Sequence, residues 1–359
     1  MTFCQAVALV TSVCCSLLPL APRPAAAQSS ELITPVLLLP YPDPSVNDYR
    51  PVVNADGTKV VFERTQLVNG TSRTSLYIAD LATGTAATPL VPSLAAEGVE
   101  PERPDWCWRR RKDGQLEEGP LAFSVSPKAG PLETEGVYTM DVTRPSSLRL
   151  LPNTADMVYP AWYPGCRRLA VDHQLNDGPV TTEINARTGA VIRLVLANST
   201  VWAGFPSVNQ VDPRLIAFAG QPVGNTPYDQ DTNYIWIADR ATSPVTVLPL
   251  DKRAPPDPPF ERQFQGRAGW WSPDGEWIAF ESNRNCTLET AYAILLQKGS
   301  GTEPARQVTD CSWNAQHAKW FPPEALGQRT LLVVSVVRNP GQSEARGIAA
   351  LDITALLTP

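Results

Sequence analysis

Residues 268–296 read AGWWSPDGEWIAFESNRNCTLETAYAILL. Trp270-Trp271 ends one extended run, Ser272-Pro273-Asp274-Gly275 turns the chain, and Glu276-Trp277-Ile278-Ala279-Phe280-Glu281 begins another. Pro273 presets φ for the first inner position of a tight turn, and Gly275 accepts the positive φ that a side chain would resist. The stretch therefore predicts a β-hairpin. A polar break from Ser282 to Thr290 leads to a third strand over Ala291 to Leu296 and a fourth around Arg306-Gln307-Val308-Thr309. One such sheet leaves apolar faces in water, so it requires neighbours.

The same word recurs along the chain. Arg50-Pro51-Val52-Val53-Asn54-Ala55-Asp56-Gly57 precedes a strand through Phe62-Glu63, with Ser75-Leu76-Tyr77-Ile78-Ala79-Asp80 as its third strand. A second copy runs from Pro104-Asp105-Trp106 through a polar excursion, Arg109 to Gly119, read as an expanded turn, to Leu121-Ala122-Phe123 and Gly136 to Asp141. Further copies start at Tyr159, Phe205 and Ala318, the last ending in Gly347-Ile348-Ala349-Ala350-Leu351-Asp352. The anchors Val53, Trp106, Trp162, Val208, Trp271 and Trp320 are about fifty residues apart, a period in the range of propeller blades. The expectation is an all-β fold: a six-bladed β-propeller of four-stranded antiparallel blades.

Trp271-Ser272-Pro273-Asp274-Gly275 followed by Ile278-Ala279-Phe280, with Tyr77-Ile78-Ala79-Asp80 and Thr83-Gly84 as the matching blade ending, resembles the TolB-type β-propeller repeat. The resemblance spans nearly the whole chain after its amino-terminal segment, and is degenerate in copies two, three and four. TolB proteins are periplasmic scaffolds of the cell-envelope Tol–Pal system and carry an α/β domain before a six-bladed propeller. The stretch between Gln28 and the first copy is too short for that domain, so the resemblance implies the propeller without it.

The amino terminus points to export. Val7 to Leu20 is mostly apolar and is followed by Pro22-Arg23-Pro24-Ala25-Ala26-Ala27. That run is too short for a bilayer span, and its small residues suit signal peptidase. Residues 1–27 are therefore read as a signal peptide cleaved after Ala27, and 28–359 as the propeller, periplasmic or secreted, monomeric and without a transmembrane segment. No Lys or Arg precedes the apolar core, and a lipid anchor on Cys14 or Cys15 is the alternative. Net charge is −6, and the basic run Arg109-Arg110-Arg111-Lys112 stands alone. A nucleic-acid surface needs a broad positive face, so no nucleic acid is expected.

Loss of the signal leaves Cys107, Cys166, Cys286 and Cys311. An even count in an exported chain argues for disulfides. The repeat frame favours Cys286 with Cys311 inside copy five and Cys107 with Cys166 between copies two and three. Four free thiols are the alternative. The last copy lacks a fourth strand, and Thr34-Pro35-Val36-Leu37-Leu38-Leu39-Pro40 resembles Thr88-Pro89-Leu90-Val91-Pro92. The ring is thus expected to be closed by this N-terminal strand, with Ala355-Leu356-Leu357 as the alternative occupant.

Catalytic motifs are missing. The chain has 2 histidines, His173 in a loop of copy three and His317 before the inner strand of copy six, so a multi-imidazole metal site cannot form. There is no Gly-x-Ser-x-Gly elbow, Gly299-Ser300-Gly301 is a turn, and Asp229 to Asn233 lacks the later ligands of a calcium loop. Glu117-Glu118, Glu133 and Glu135 are read as solvated loop carboxylates. No catalytic residue, metal or cofactor is assigned. The joints entering each innermost strand supply Tyr49, Arg50, Arg103, Tyr159, Phe205, Arg267, Trp313 and His317 to one funnel face. Tyr, Trp and Arg dominate binding hot spots, although aromatics there could equally cap the sheets. The function expected is an exported non-enzymatic scaffold that binds an envelope protein or peptidoglycan-associated partner. The alternative is a propeller enzyme, or a saccharide- or peptide-binding module, with its ligand in the funnel.

Overall fold

A computed structural model describes residues 32–41, 43–96, 98–125, 135–175, 178–195, 201–222, 233–241, 245–250, 266–284, 286–287, 290–323, 329–340 and 345–357. Residues 1–27, expected to be a signal peptide, Glu133 and most of the Asp229 to Asn233 stretch lie outside the described residues. Six four-stranded antiparallel sheets make up the fold. From inner to outer strand, blade one is Asn47–Val53, Lys59–Val68, Thr71–Asp80 and Thr88–Pro89. Blade two is Pro101–Arg110, Leu116–Val125, Gly136–Asp141 and Arg144–Leu150, and blade three Met157–Trp162, Arg168–Leu175, Gly178–Asn185 and Val191–Leu194. Blade four is Val201–Val208, Leu215–Pro222, Tyr234–Asp239 and Thr246–Pro249, and blade five Gly266–Trp271, Trp277–Ser282, Ala293–Lys298 and Arg306–Gln307. Blade six combines Gln316–Trp320, Leu331–Val337 and Arg346–Asp352 with Val36–Leu37 from the other end of the chain.

Each sheet packs on the next, and blade six returns to blade one. One apolar cluster fills each seam. Between blades one and two it is built on Val61, Leu76, Trp106, Leu121 and Phe123, all buried. Each large apolar side chain taken fully out of water contributes about 1.5–3 kcal/mol, which is why strands with alternate apolar residues hold only when the ring places a neighbour on both faces. Gly275, at φ +76, closes the blade-five hairpin with its N–H on the Ser272 carbonyl at 2.9 Å, while Trp277 N–H donates to Ser272 Oγ at 2.9 Å. Asn209 of blade four donates to the Gly275 carbonyl at 2.9 Å, so the turn also joins two blades.

Val36 pairs with Ala350 and Leu37 with Ala349 in antiparallel register, and Leu38 N–H donates to the Ile348 carbonyl at 2.9 Å. Thr354–Leu357, the other candidate for that edge, forms a short helix. Two bridges join the cysteines, Cys107–Cys166 between blades two and three and Cys286–Cys311 within blade five.

Three local expectations are corrected. The polar excursion from Arg109 to Gly119 continues the hairpin: Arg109 pairs with Glu117 and Arg110 with Leu116, because alternation of long polar side chains suits a ladder with both faces wet. Glu117 and Glu118 are accordingly strand residues, bonded to Arg109 at 3.0 Å and Asn54 at 3.3 Å. His173 lies within the strand Arg168–Leu175, opposite Val180, and His317 within Gln316–Trp320. The third strand of blade five begins at Ala293.

Candidate functional site at the propeller axis

Every innermost strand is interrupted at the same place. Register slips between Tyr49 and Val52, Glu102 and Asp105, Val158 and Ala161, Gly204 and Ser207, Arg267 and Trp270, and Gln316 and Lys319. In each slip the first extra residue has positive φ: Arg50 at 45°, Arg103 at 59°, Tyr159 at 51°, Phe205 at 52°, Ala268 at 49° and His317 at 54°. A left-handed residue with a side chain costs roughly 1–2 kcal/mol, so six at equivalent positions reflect a demand of the ring. Such bulges redirect the side chain, here toward the axis. Arg50, Arg103, Tyr159, Phe205, Ala268 and His317 line one axial chamber, with Trp270 and Lys319 at its base.

Carboxylates one strand further out hold this arrangement. The second-strand residues facing the bulges are Glu63, Ser124, Asp172, Ala219, Glu281 and Ser335. Blades one, three and five carry the acids, all buried. Each accepts the N–H of the following blade's bulge residue: Glu63 from Arg103, Asp172 from Phe205, and Glu281 from His317 at 2.6 Å. Glu63 also binds Arg50 at 2.7 Å, and Glu281 binds Arg267 at 2.6 Å.

Aromatic faces take the remaining charge. The Arg103 guanidinium lies 4.1 Å from the Tyr159 ring centre, and Tyr159 packs on Phe205 with centroids 4.0 Å apart. Below them Lys319 Nζ sits 2.6 Å from Asp105 Oδ1 and 3.1 Å from the Trp270 ring centre. Burial lowers the Lys319 amine to about 8 against the raising effect of Asp105. Burial, with the charges of Arg50 and Arg267, holds His317 well below the usual imidazole value, so it is neutral. Burial also raises Glu63 and pushes Asp172 up to about 7, the latter opposed by Arg103.

Free space is small. The chamber holds about 30 Å³, room for a water or two, whereas small-molecule pockets run to roughly 300–1,000 Å³. At the other end of the axis a second cavity of about 80 Å³ is lined by Trp106, Trp108, Trp162, Trp270, Trp271 and Trp320. Lys319 and Trp270 border both spaces.

Of the residues singled out in the sequence, Arg50, Arg103, Tyr159, Phe205 and His317 meet in the chamber. Arg267 points aside, 4.2 Å from the Tyr292 ring centre. Tyr49 packs under Arg346 at 5.4 Å, and Trp313 lies on the 3-10 turn Cys311–Trp313, against the core between blades five and six. Sequence reasoning missed the three acids, Asp105, Trp270 and Lys319. Among the described residues no group of three or more His, Cys, Asp or Glu is placed to hold a metal ion, and no helix is long and apolar enough to cross a membrane.

Asp172 carries a pH prediction. Its ordinary value is 3.8 and its folded value about 7. Over that interval the folded state keeps a proton that the unfolded chain has lost, so stability falls as pH rises, by up to ~1.4 kcal/mol per unit, and the penalty is complete above the folded value. Asp172→Asn is expected to remove this slope from urea unfolding measured across weakly acidic to neutral pH, with little change at the acidic end.

Six four-stranded antiparallel sheets around an axial channel define a six-bladed β-propeller, consistent with the TolB-like repeat. No family model matches the sequence, and no curated protein matches it. Among solved structures, a putative TolB from Agrobacterium tumefaciens is similar at 12% identity and TM-score 0.45, over 69% of this chain and 89% of that one. TolB from Acinetobacter baumannii is similar at 12% identity and TM-score 0.39, over 83% and 81% of the two chains. Oligogalacturonate lyase from Vibrio parahaemolyticus is similar at 10% identity and TM-score 0.48, over 90% and 97%. The fold assignment rests on the six sheets themselves.

Proposed function

We propose that this protein is an exported, non-enzymatic scaffold whose funnel face seats part of a protein partner in the periplasm or cell envelope. One observation carries the reading. The cationic and aromatic side chains of the funnel are held by buried carboxylates and by each other, around a chamber of only about 30 Å³. This suits a rigid contact surface better than a substrate pocket. Arg50, Arg103, Tyr159 and Phe205 remain partly exposed at that mouth, as a contact surface requires. Export, with cleavage after Ala27, is supported by the apolar amino-terminal segment and by two disulfides, which persist in oxidising compartments.

The test is site-specific photo-crosslinking in envelope fractions. A benzophenone side chain replacing Phe205 is expected to capture a discrete protein partner, and the same group at exposed Leu67 is not. Equal capture at both positions, or none at Phe205, would overturn the funnel-face reading. Sequencing of the mature amino terminus separately checks for Gln28 as first residue.

A further inference from the structure

The outer strand of a blade leaves one row of backbone groups unpaired, and such an edge accepts another strand unless it is short or interrupted by proline. The outer strands of blades one and four end in Pro89 and Pro249, that of blade two carries Pro145 and no exposed large apolar residue, and those of blades five and six are 2 residues long. Blade three differs. Its outer strand, Val191-Ile192-Arg193-Leu194, has 4 residues and no proline. Val191, Ile192 and Leu194 are 49%, 48% and 41% exposed. Val195 N–H donates to the Thr181 carbonyl at 2.9 Å and Leu194 stands opposite Thr182. Strand alternation therefore turns the N–H and C=O of Leu194 away from the sheet. The register slip between Glu183 and Ile184 leaves Ile192 as the extra residue. It bends the strand before Arg193 and leaves the Leu194 end regular.

A charge imbalance flanks this edge. Buried Glu183 receives Arg168 at 2.5 Å, Arg193 at 2.8 Å and Arg240 at 2.6 Å. One carboxylate cannot balance three guanidiniums. Among the described residues Asp212 acts on both Arg214 and Arg240, and Asp239 on Arg214, which still leaves four guanidiniums against three carboxylates. Arg168 and Arg193 are 40% and 47% exposed along their side chains, so the surplus positive charge faces solvent on a chain whose net charge is −6.

We propose that this edge is the docking strand for an extended, acidic segment of a protein partner. The incoming strand pairs its backbone with Leu194, covers Val191, Ile192 and Leu194 with apolar side chains, and places Glu or Asp carboxylates on the outward N–H groups of Arg168 and Arg193. A second copy of this chain is disfavoured, because antiparallel pairing of two such edges through Leu194 sets the two Arg193 on one face as diagonal neighbours.

The test titrates the full, disulfide-intact protein with a fluorescent short peptide in which Val or Thr alternates with Glu, and with the same peptide carrying Lys for Glu. The acidic peptide is expected to bind at least ~tenfold more tightly and to weaken with added salt. Leu194→Pro removes an outward N–H without deleting a bond of the sheet, and Arg193→Gln removes one surplus charge. Each is expected to weaken binding ~tenfold or more. Slowed hydrogen exchange at the Leu194 amide in the peptide-bound wild type gives an independent readout should the proline variant fail to fold. Equal affinity for both peptides, no binding, or unchanged Leu194 exchange would overturn the proposal. A dimer abolished by Leu194→Pro, with no peptide binding, would also overturn it and assign the edge to a second copy.

Discussion

Glu281→Ala is expected to lower the unfolding free energy by about 3–5 kcal/mol, the usual cost of removing one partner from a buried ion pair. The loss is large because Glu281 serves two groups at once: Arg267 at 2.6 Å and the His317 N–H at 2.6 Å. Without the carboxylate a guanidinium stays mostly buried without its counter-charge, and a strained backbone loses its acceptor. Glu281→Gln keeps an oxygen for His317 while losing the charge, so it should fall between wild type and Glu281→Ala. The double variant Glu281→Met with Arg267→Met should recover much of the loss, since no uncompensated charge remains. Urea unfolding provides the measurement, with the midpoint lowered and the slope unchanged. A Glu281→Ala midpoint equal to wild type would show that the acid does not hold the bulge.

Removing the Cys107–Cys166 bridge by paired alanine substitutions is expected to cost about 4 kcal/mol by loop-closure entropy. The bridge closes 59 residues and spans two blades, so its loss releases a blade-sized loop in the unfolded chain. Cys286–Cys311 closes only 25 residues within one blade, and the same relation gives it somewhat less, about 3.5 kcal/mol. The order of the two effects, read from unfolding midpoints of the separate pairs, is the discriminating result. A larger loss from the shorter loop would mean that native-state packing, rather than chain entropy, sets the contribution.

The fold was legible because its punctuation is local. Ser272-Pro273-Asp274-Gly275 and Asn54-Ala55-Asp56-Gly57 hold their turn chemistry in four consecutive residues, and the aromatic or apolar anchor before each turn marks the end of an innermost strand. Blade two was misread at Arg109 to Gly119 because a hairpin that leaves the ring is wet on both faces and loses the apolar alternation that signals a strand. The candidate site was legible by halves. Arg50, Arg103, Tyr159, Phe205 and His317 were found from their position at the mouth of each inner strand. Their acceptors were missed because the bond from Arg103 to Glu63 spans 40 residues and that from His317 to Glu281 spans 36. A faint signal exists: Phe62-Glu63, Val171-Asp172 and Phe280-Glu281 each place an acid straight after an apolar strand residue, in alternate copies.

That alternation gives the ring a parity. Acids in blades one, three and five serve backbone groups in blades two, four and six. At the bulges the intervening joints lack such an acid and are joined elsewhere: by a sulfur bridge and Asp105 on the Trp162 N–H from blade two to three, Asn209 on Gly275 from four to five, and Ser335 on the Asp48 carbonyl from six to one. The unit that repeats is therefore a couple of unlike blades. Deleting an odd blade or duplicating an even one would set two even members side by side and turn an N–H from a carboxylate toward a hydroxyl or a methyl group. For this network, loss of a blade is therefore costlier at an odd position than at an even one.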